Sequence, residues 1–267
     1  MSVLLQISDT HFGTEQPPVV EALAAFTAWQ RPDLVVLSGD ITQRARRAQF
    51  HAARVFVERL ASPVLAIPGN HDVPLFDVLA RFSRPYGHYR EAFGDELEPV
   101  HESAEQLVQC LNTTRWWLQT NGEISAGQIE RVAARLARAA PCQLRVIVVH
   151  HPVSVPQAGD VHNLVRRHAA AVHRWADAGA DLVMGGHIHL PYVTPLYGLA
   201  RRLWAVQAGT AVSRRVRGGQ PNSVNVLRWG RDAPPGRCVV EQWDCPAVGP
   251  AFVRAKVSEF EPQRGSP

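Results

Sequence analysis

Lysine is almost missing from this chain of 267 residues: Lys256 is the only one, so nearly all of the 28 basic side chains are arginines. Set beside the abundance of Ala, Pro, Gly and Val, that bias reads as the signature of a GC-rich genome. A net charge of +4 suits an anionic small-molecule partner and is too weak to argue for nucleic acid. Cysteine is also scarce. Cys110, Cys142, Cys238 and Cys245 show no CxxC spacing and do not alternate with histidines, which excludes a zinc module and leaves reduced cytosolic thiols as the simplest reading. Cys238 and Cys245 could sit across a hairpin, where a disulfide would be geometrically possible, but nothing in the sequence supports one. No segment approaches the roughly 20 apolar residues of a membrane span. The opening "MSVLLQISD" lacks a basic n-region and runs straight into polar residues, unlike a signal sequence. A cytoplasmic protein without a membrane span is expected. There is no internal repeat and no low-complexity tract.

What is present is a core-forming composition, 46% hydrophobic, arranged in short β-rich runs that alternate with helix-length amphipathic stretches. Strand-like runs fall at 3–8, 33–39, 63–69, 107–112, 144–150 and 181–186, with further ones at 203–209, 223–229 and 238–243. Helical stretches fall at 19–30, 48–60, 125–139 and 168–179, the third opened by a capping box, Ser125 with Gln128. This is an α/β pattern, read as one domain over 1–257. An insertion at about 73–106 breaks the rhythm and is expected to be helical or irregular. The polar tail, 258–267, is expected to fray.

The strands end in an unusual way. "SDTH" leaves the first with Asp9 and His11, "SGD" leaves the second with Asp40, and "PGNHD" leaves the third with Asn70, His71 and Asp72. Later "VIVVHH" supplies His150 and His151, and "GGHIH" supplies His187 and His189. Each piece has an ordinary explanation. Asp-x-His is usually a surface or capping pair, Gly-Asp a turn or helix cap, and Pro-Gly-Asn a turn. Polar groups at the ends of buried strands are nevertheless costly unless something holds them. In an α/β sheet the carboxyl ends of parallel strands line one crevice, so five such endings converge, and five accidents are not a reasonable account.

In this order the blocks resemble the calcineurin-like metallophosphoesterases, over about residues 3–210, and within them the class III cyclic nucleotide phosphodiesterases. The resemblance implies a four-layer α/β/β/α sandwich with a dinuclear metal centre. It implies that Asp40 bridges two ions, one also held by Asp9, His11 and His189, the other by Asn70, His150 and His187. Two ions clamp phosphoryl oxygens and generate hydroxide near neutral pH. The nitrogen and oxygen donors fit divalent or mixed-valence manganese, iron or zinc and disfavour copper(I) or iron–sulfur chemistry. His71, beside a ligand, is then expected to protonate the leaving oxygen, with Asp72 fixing its tautomer or else capping the next helix. Only one of His150 and His151 can be a ligand, since adjacent residues point opposite ways; His151 is left as an outer-shell or substrate contact. Arg44, Arg46, Arg47, Arg214, Arg215 and Arg217 are candidates for an anionic group, against a solvated face. Tyr86, with His88 and Tyr89, either stacks on substrate or forms the insertion's own core. His162 lies in a loop between two ligand blocks and is a further pocket candidate. The implied partner is a small anionic phosphoester: a cyclic nucleotide or related diester, or alternatively a nucleotide-linked lipid or sugar pyrophosphate. A non-catalytic scaffold would be expected to have lost ligands, and none is missing. Oligomeric state is not readable.

Overall fold

A computed structural model describes residues 2–230 and 233–263. The first strand, β1 (Ser2–Ile7), is buried at every position, and a strand without polar alternation needs a layer on either face. The chain supplies those layers by alternating helix and strand: α1 (Pro17–Gln30), β2 (Leu34–Ser38), α2 (Arg47–Glu58) and β3 (Val64–Ile67). Two short helices follow, α3 (Val78–Ser83) and α4 (Gly87–Phe93), then the paired strands β4 (Val100–Glu102) and β5 (Gln106–Cys110). A second alternating run comprises α5 (Ala126–Leu136), β6 (Leu144–Val148), α6 (His168–Asp177) and β7 (Leu182–Gly185). The strands β8 (Tyr192–Leu196), β9 (Leu203–Gln207), β10 (Asn222–Trp229), β11 (Cys238–Cys245) and β12 (Val253–Phe260) complete it.

The strands form two six-stranded sheets, ordered β12-β11-β10-β1-β2-β3 and β4-β5-β6-β7-β9-β8. In the first, β1, β2 and β3 run parallel; in the second, β5, β6, β7 and β9 do. The alternation of β1 shows how one strand serves two layers. Val3, Leu5 and Ile7 join the core under α1 and α2, with Phe26, Phe50 and Phe56, while Leu4 joins the core between the sheets, with Val36, Val146 and Met184. A third core packs α5 and α6 on the second sheet through Ile129, Leu136, Val172 and Trp175. The layers are therefore α/β/β/α. Helix α5 opens with the Ser125–Gln128 capping box and buries Ile129, Val132, Ala133 and Leu136 along one stripe. Just below the strand ends, the buried Gln6 amide ties the sheets together, donating to the Gly185 carbonyl at 2.9 Å and to Ser38 Oγ at 3.1 Å.

Three sequence expectations change. The segment 73–106 is not wholly helical or irregular, because Val100–Glu102 pairs with β5 as an edge strand. Ser258, Glu259 and Phe260 do not fray: they close β12, and the Phe260 ring stacks on Trp204 at 4.7 Å; residues 264–267 of that tail lie outside the described residues. Cys238 and Cys245 cannot bridge a hairpin, since they sit at opposite ends of the one strand β11, far beyond disulfide reach. Among the described residues, no helix is long and apolar enough to cross a membrane.

Candidate metal centre

Asp9, His11, Asp40, Asn70, His150, His187 and His189 all lie just past the C-terminal ends of β1, β2, β3, β6 and β7. Backbone hydrogen bonds stitch these loops together. Asp9 N–H donates to the Gly39 carbonyl at 3.1 Å, His11 N–H to that of Asp40 at 3.0 Å, and Gly186 N–H to that of His150 at 2.9 Å. The turns are tight enough to force Asp9, His11, Asp40, His187 and His189 into the left-handed region, with φ from 43° to 75°. L-residues avoid it at about 1–2 kcal/mol each. Two glycines allow the loops to touch: a Cβ on Gly69 would lie 2.1 Å from the Asp40 nitrogen, and one on Gly186 would lie 2.1 Å from Ser8 Oγ.

Four side chains meet at one corner. His11 Nε2 and His189 Nε2 are 3.1 Å apart, Asp9 Oδ1 is 3.3 Å from His189 Nε2, and Asp40 Oδ2 is 3.8 Å from His11 Nε2. These four can reach a single ion. The other oxygen of Asp40 faces a second corner, with Oδ1 3.3 Å from His150 Nε2, which in turn lies 3.3 Å from Asn70 Oδ1. His150 donates its Nδ1–H to the Ser38 carbonyl at 2.9 Å, so its Nε2 points inward, as an imidazole ligand is usually oriented. The His187 ring lies 5.2 Å from that of His150. His187 Nδ1 and His11 Nδ1 are buried with no hydrogen-bond partner among the described residues. Orphaned polar atoms are rare in a folded interior, and a cation at this centre gives His187 Nδ1 something to bind.

The electrostatics suit cations. Burial opposes ionisation of Asp9, but the His189 charge and hydrogen bond outweigh it and hold the carboxyl at about 2. Asp40 is likewise held well below the usual range, burial being overcome chiefly by His150 and His71. Burial pushes His11 down to about 3 and His187 to about 4, leaving their lone pairs available. Burial also disfavours charge on His150, yet the adjacent Asp40 carries it up to about 9.

The geometry narrows three of the expected roles. His151 is completely buried, its Nδ1 accepts from the Thr113 hydroxyl at 2.8 Å and its Nε2–H donates to the Thr120 carbonyl at 3.0 Å. Although it lies close enough to His150 and His187 to share an ion, both nitrogens are engaged, which fits the outer-shell arm of the expectation, packed beside His187, and not the substrate contact. Asp72 does not orient His71. Its carboxylate accepts from Ile41 N–H at 3.0 Å, Thr42 N–H and Oγ at 2.7 Å, and Gly69 N–H at 2.9 Å. It pins the Asp40 loop to the Asn70 loop; burial and then the Asp40 charge push its carboxyl up to about 7 against those donors. Tyr86 packs against the first core with its hydroxyl 2.8 Å from Thr114 Oγ1, and Tyr89 is buried with its hydroxyl on the Ala66 carbonyl.

His71 is oriented instead by a backbone group. Its Nδ1–H donates to the Gln43 carbonyl at 2.9 Å, while Nε2 lies 3.0 Å from Nη1 of Arg215. A carbonyl only accepts and a guanidinium only donates, so the two partners together fix the tautomer. Arg215 also donates to Gln43 Oε1 at 3.1 Å, which makes it the member of its arginine cluster at the centre. Arg217 instead pairs with Asp160 at 3.0 Å and donates to the Ile188 carbonyl at 3.3 Å, bracing the loop between His187 and His189. In the loop that carries His162, which is exposed, Asp160 is thus tied through Arg217 to the loop between His187 and His189. Arg44 lines the cavity beside Asn70 and His71, whereas Arg47 pairs with Glu91 on the surface. Nothing in the sequence separates Arg215 from Arg214 or Arg217, because position after a strand and charge are the same for all three.

The family model described as calcineurin-like phosphoesterase matches residues 2–191. Glycerophosphodiester phosphodiesterase GpdQ of Enterobacter lignolyticus (strain SCF1) is 37% identical over 83 residues, 26% of this chain and 29% of that protein. The 3',5'-cyclic adenosine monophosphate phosphodiesterase CpdA of Escherichia coli (strain K12) is 24% identical over 164 residues, 56% of this chain and 55% of that protein. The chain thus spans about half the length, or less, of these curated relatives. A dimetal phosphatase from Danio rerio has the same fold, with a TM-score of 0.71 at 14% identity over 98% of this chain and 99% of that one.

Proposed function

The chain belongs to the calcineurin-like phosphoesterase family, and from that premise we propose that it hydrolyses small phosphodiesters at a centre holding two transition-metal ions. The observation that carries this reading is Asp40: its two oxygens face two separate groups of donors, His11 on one side and His150 on the other. Asp9, His11, His189 and Asp40 would hold one ion, and Asn70, His150, His187 and Asp40 the other. Manganese, iron and zinc all fit such nitrogen and oxygen donors. When bound, two ions supply Lewis-acid activation of the phosphoryl group and of the attacking water.

The chain's own residues do the rest. Arg215, whose guanidinium reaches His71 in front of the centre, turns to donate to a phosphoryl oxygen when substrate arrives. That movement frees His71 Nε2, which takes up a solvent proton and hands it to the leaving oxygen, while the Gln43 carbonyl keeps the ring aimed. Asp72 keeps the loops of Asp40 and Asn70 in register during turnover. The diester reading, and cyclic nucleotides within it, is supported by the names of the relatives GpdQ and CpdA.

The test is an activity panel on metal-reconstituted protein: a cyclic nucleotide, an aryl phosphodiester, an aryl phosphomonoester and a nucleotide-sugar pyrophosphate. Hydrolysis of the two diesters ahead of the other compounds is expected. A preference for the monoester or for the pyrophosphate overturns the diester assignment.

A further inference from the structure

The centre opens into a cavity of about 130 Å³ lined by Asn70, His71, Arg44, Val73, Leu75 and Thr120 among others. Polar side chains line most of it, and Val73 and Leu75 supply its apolar part. Val73 and Leu75 lead away from His71 onto a cluster of exposed apolar side chains: Phe76, Val78, Leu79, Phe82 and Trp117 are 76%, 59%, 79%, 62% and 54% exposed. Single exposed apolar residues are ordinary, but a contiguous group marks a recognition surface. This group is contiguous. Val78, Leu79 and Phe82 share one face of α3 at three- and four-residue spacing, the Phe82 ring meets Trp116 at 4.8 Å, and Trp116 meets Trp117 at 5.3 Å.

The surface is also held rigidly to the centre. Arg81 is buried, and its guanidinium donates to the Pro74 carbonyl at 2.8 Å and to the Leu118 carbonyl at 2.9 Å, clamping the α3 segment to the tryptophan loop. That loop is anchored in turn through the Thr120 carbonyl to His151, whose ring lies 4.6 Å from that of His187. At the frontier, the Arg44 guanidinium sits 5.3 Å over the Phe76 ring while lining the cavity.

We infer that this patch binds the apolar chain of an amphiphilic phosphodiester whose phosphate enters the cavity, an inference that rests on the phosphodiesterase reading above. Arg44 stands where the anionic and apolar parts of such a molecule join. The rings stand at 58° and 84° to one another, offering no parallel pair of faces for a nucleobase to slot between, whereas an alkyl chain fits over edges and faces alike. A second copy of this chain seated on the patch would cover the mouth of the cavity.

The experiment compares methyl, butyl and octyl p-nitrophenyl phosphodiesters, below their micellar concentrations, on the full metal-loaded chain. Each methylene removed from water is worth about threefold to fourfold, and an open surface covers only part of the chain. The octyl-to-methyl ratio of kcat/KM should therefore reach on the order of 30-fold, mostly through KM, and fall close to one in Leu79→Ser/Phe82→Ser. Calorimetric binding of octyl phosphate against methyl phosphate supplies a readout independent of turnover and should follow the same pattern; Phe76→Ser is the second variant. A flat chain-length profile in both turnover and binding overturns the inference. So does a double variant that keeps the octyl preference but turns a dimer into a monomer in sedimentation, or that keeps it but loses a cyclic nucleotide. If no diester is cleaved yet octyl phosphate binds with the expected chain-length dependence, the patch stands and the hydrolytic reading falls.

Discussion

The two corners of the centre are built from different chemistry. One gathers Asp9, Asp40, His11 and His189, two carboxylates and two imidazoles with pairs of atoms as close as 3.1 Å. The other gathers Asn70, His150 and His187, an amide and two imidazoles, and shares with the first its only anionic donor, Asp40 Oδ1. An ion in the first corner has two formal negative charges beside it, and an ion in the second has a share of one. In a site removed from water that difference dominates affinity. If both corners hold an ion as proposed, they are therefore unequal: the first is fit to keep its ion, the second to exchange it.

The strongest way to break this contrast is to remove the residue common to both. Asp40→Ala should empty both corners and reduce kcat/KM by far more than the roughly 10–100-fold typical of outer-shell partners. Elemental analysis showing two retained ions would disprove the bridging assignment. Next in size is His71, which on the proposed reading faces substrate and holds no ion. His71→Ala should keep two ions yet slow an alkyl diester by roughly 10²–10⁴-fold. An activated aryl diester should suffer much less, because nitrophenolate needs no proton to depart. Equal losses on the two substrates would instead point to His71 binding phosphoryl oxygens.

Asn70→Ala sharpens the contrast more gently. It should leave one ion tightly held and weaken the other about 10–100-fold, a loss of the size outer-shell changes give because His150, His187 and Asp40 remain. A chelator titration of the unmodified protein should likewise release its ions in two separate phases, and a single phase would show the corners to be equivalent. The smallest effect on the ions belongs to Asp72→Asn. Its amide presents N–H to donors that need an acceptor, costing about 1–3 kcal/mol for each one left unpaired. The denaturation midpoint should drop while two ions still bind. A variant as stable as the parent would show that the Ile41, Thr42 and Gly69 contacts do not hold the loops.

How much was legible follows a physical division. The central strands announced themselves because they are buried on both faces, and the histidines and carboxylates stood out against them. Edges were another matter. Of the four edge strands, β4, β8 and β12 escaped the sequence reading. β4 has three residues, β8 contains Pro195, and β12 is charged and almost wholly exposed, which are the devices that keep an edge from pairing with another chain. The site divides the same way. Residue types at strand ends pointed to seven side chains that the structure gathers at two neighbouring corners, but neither the tautomer of His71 nor the contact with Arg215 leaves any trace in spacing. Asp72 misled because it adjoins His71 in sequence, whereas its four donors, on Ile41, Thr42 and Gly69, lie on the Asp40 loop or three residues back. The pair His150 and His151 shows the point most directly: they are identical and adjacent, and what separates them is whether Thr113 and Thr120 occupy both nitrogens.

The left-handed turns at Asp9, His11, Asp40, His187 and His189 put five of the nine non-glycine positive-φ residues among the described residues in the proposed centre, a concentration of local frustration there. At about 1 kcal/mol or more apiece, they together rival the net stability of a typical domain, about 5–15 kcal/mol. Glycine would relax the backbone at any of the five. A search for thermally hardier variants of the metal-free protein should therefore drift toward glycine at these sites, each gain in robustness deleting a side chain of the proposed centre.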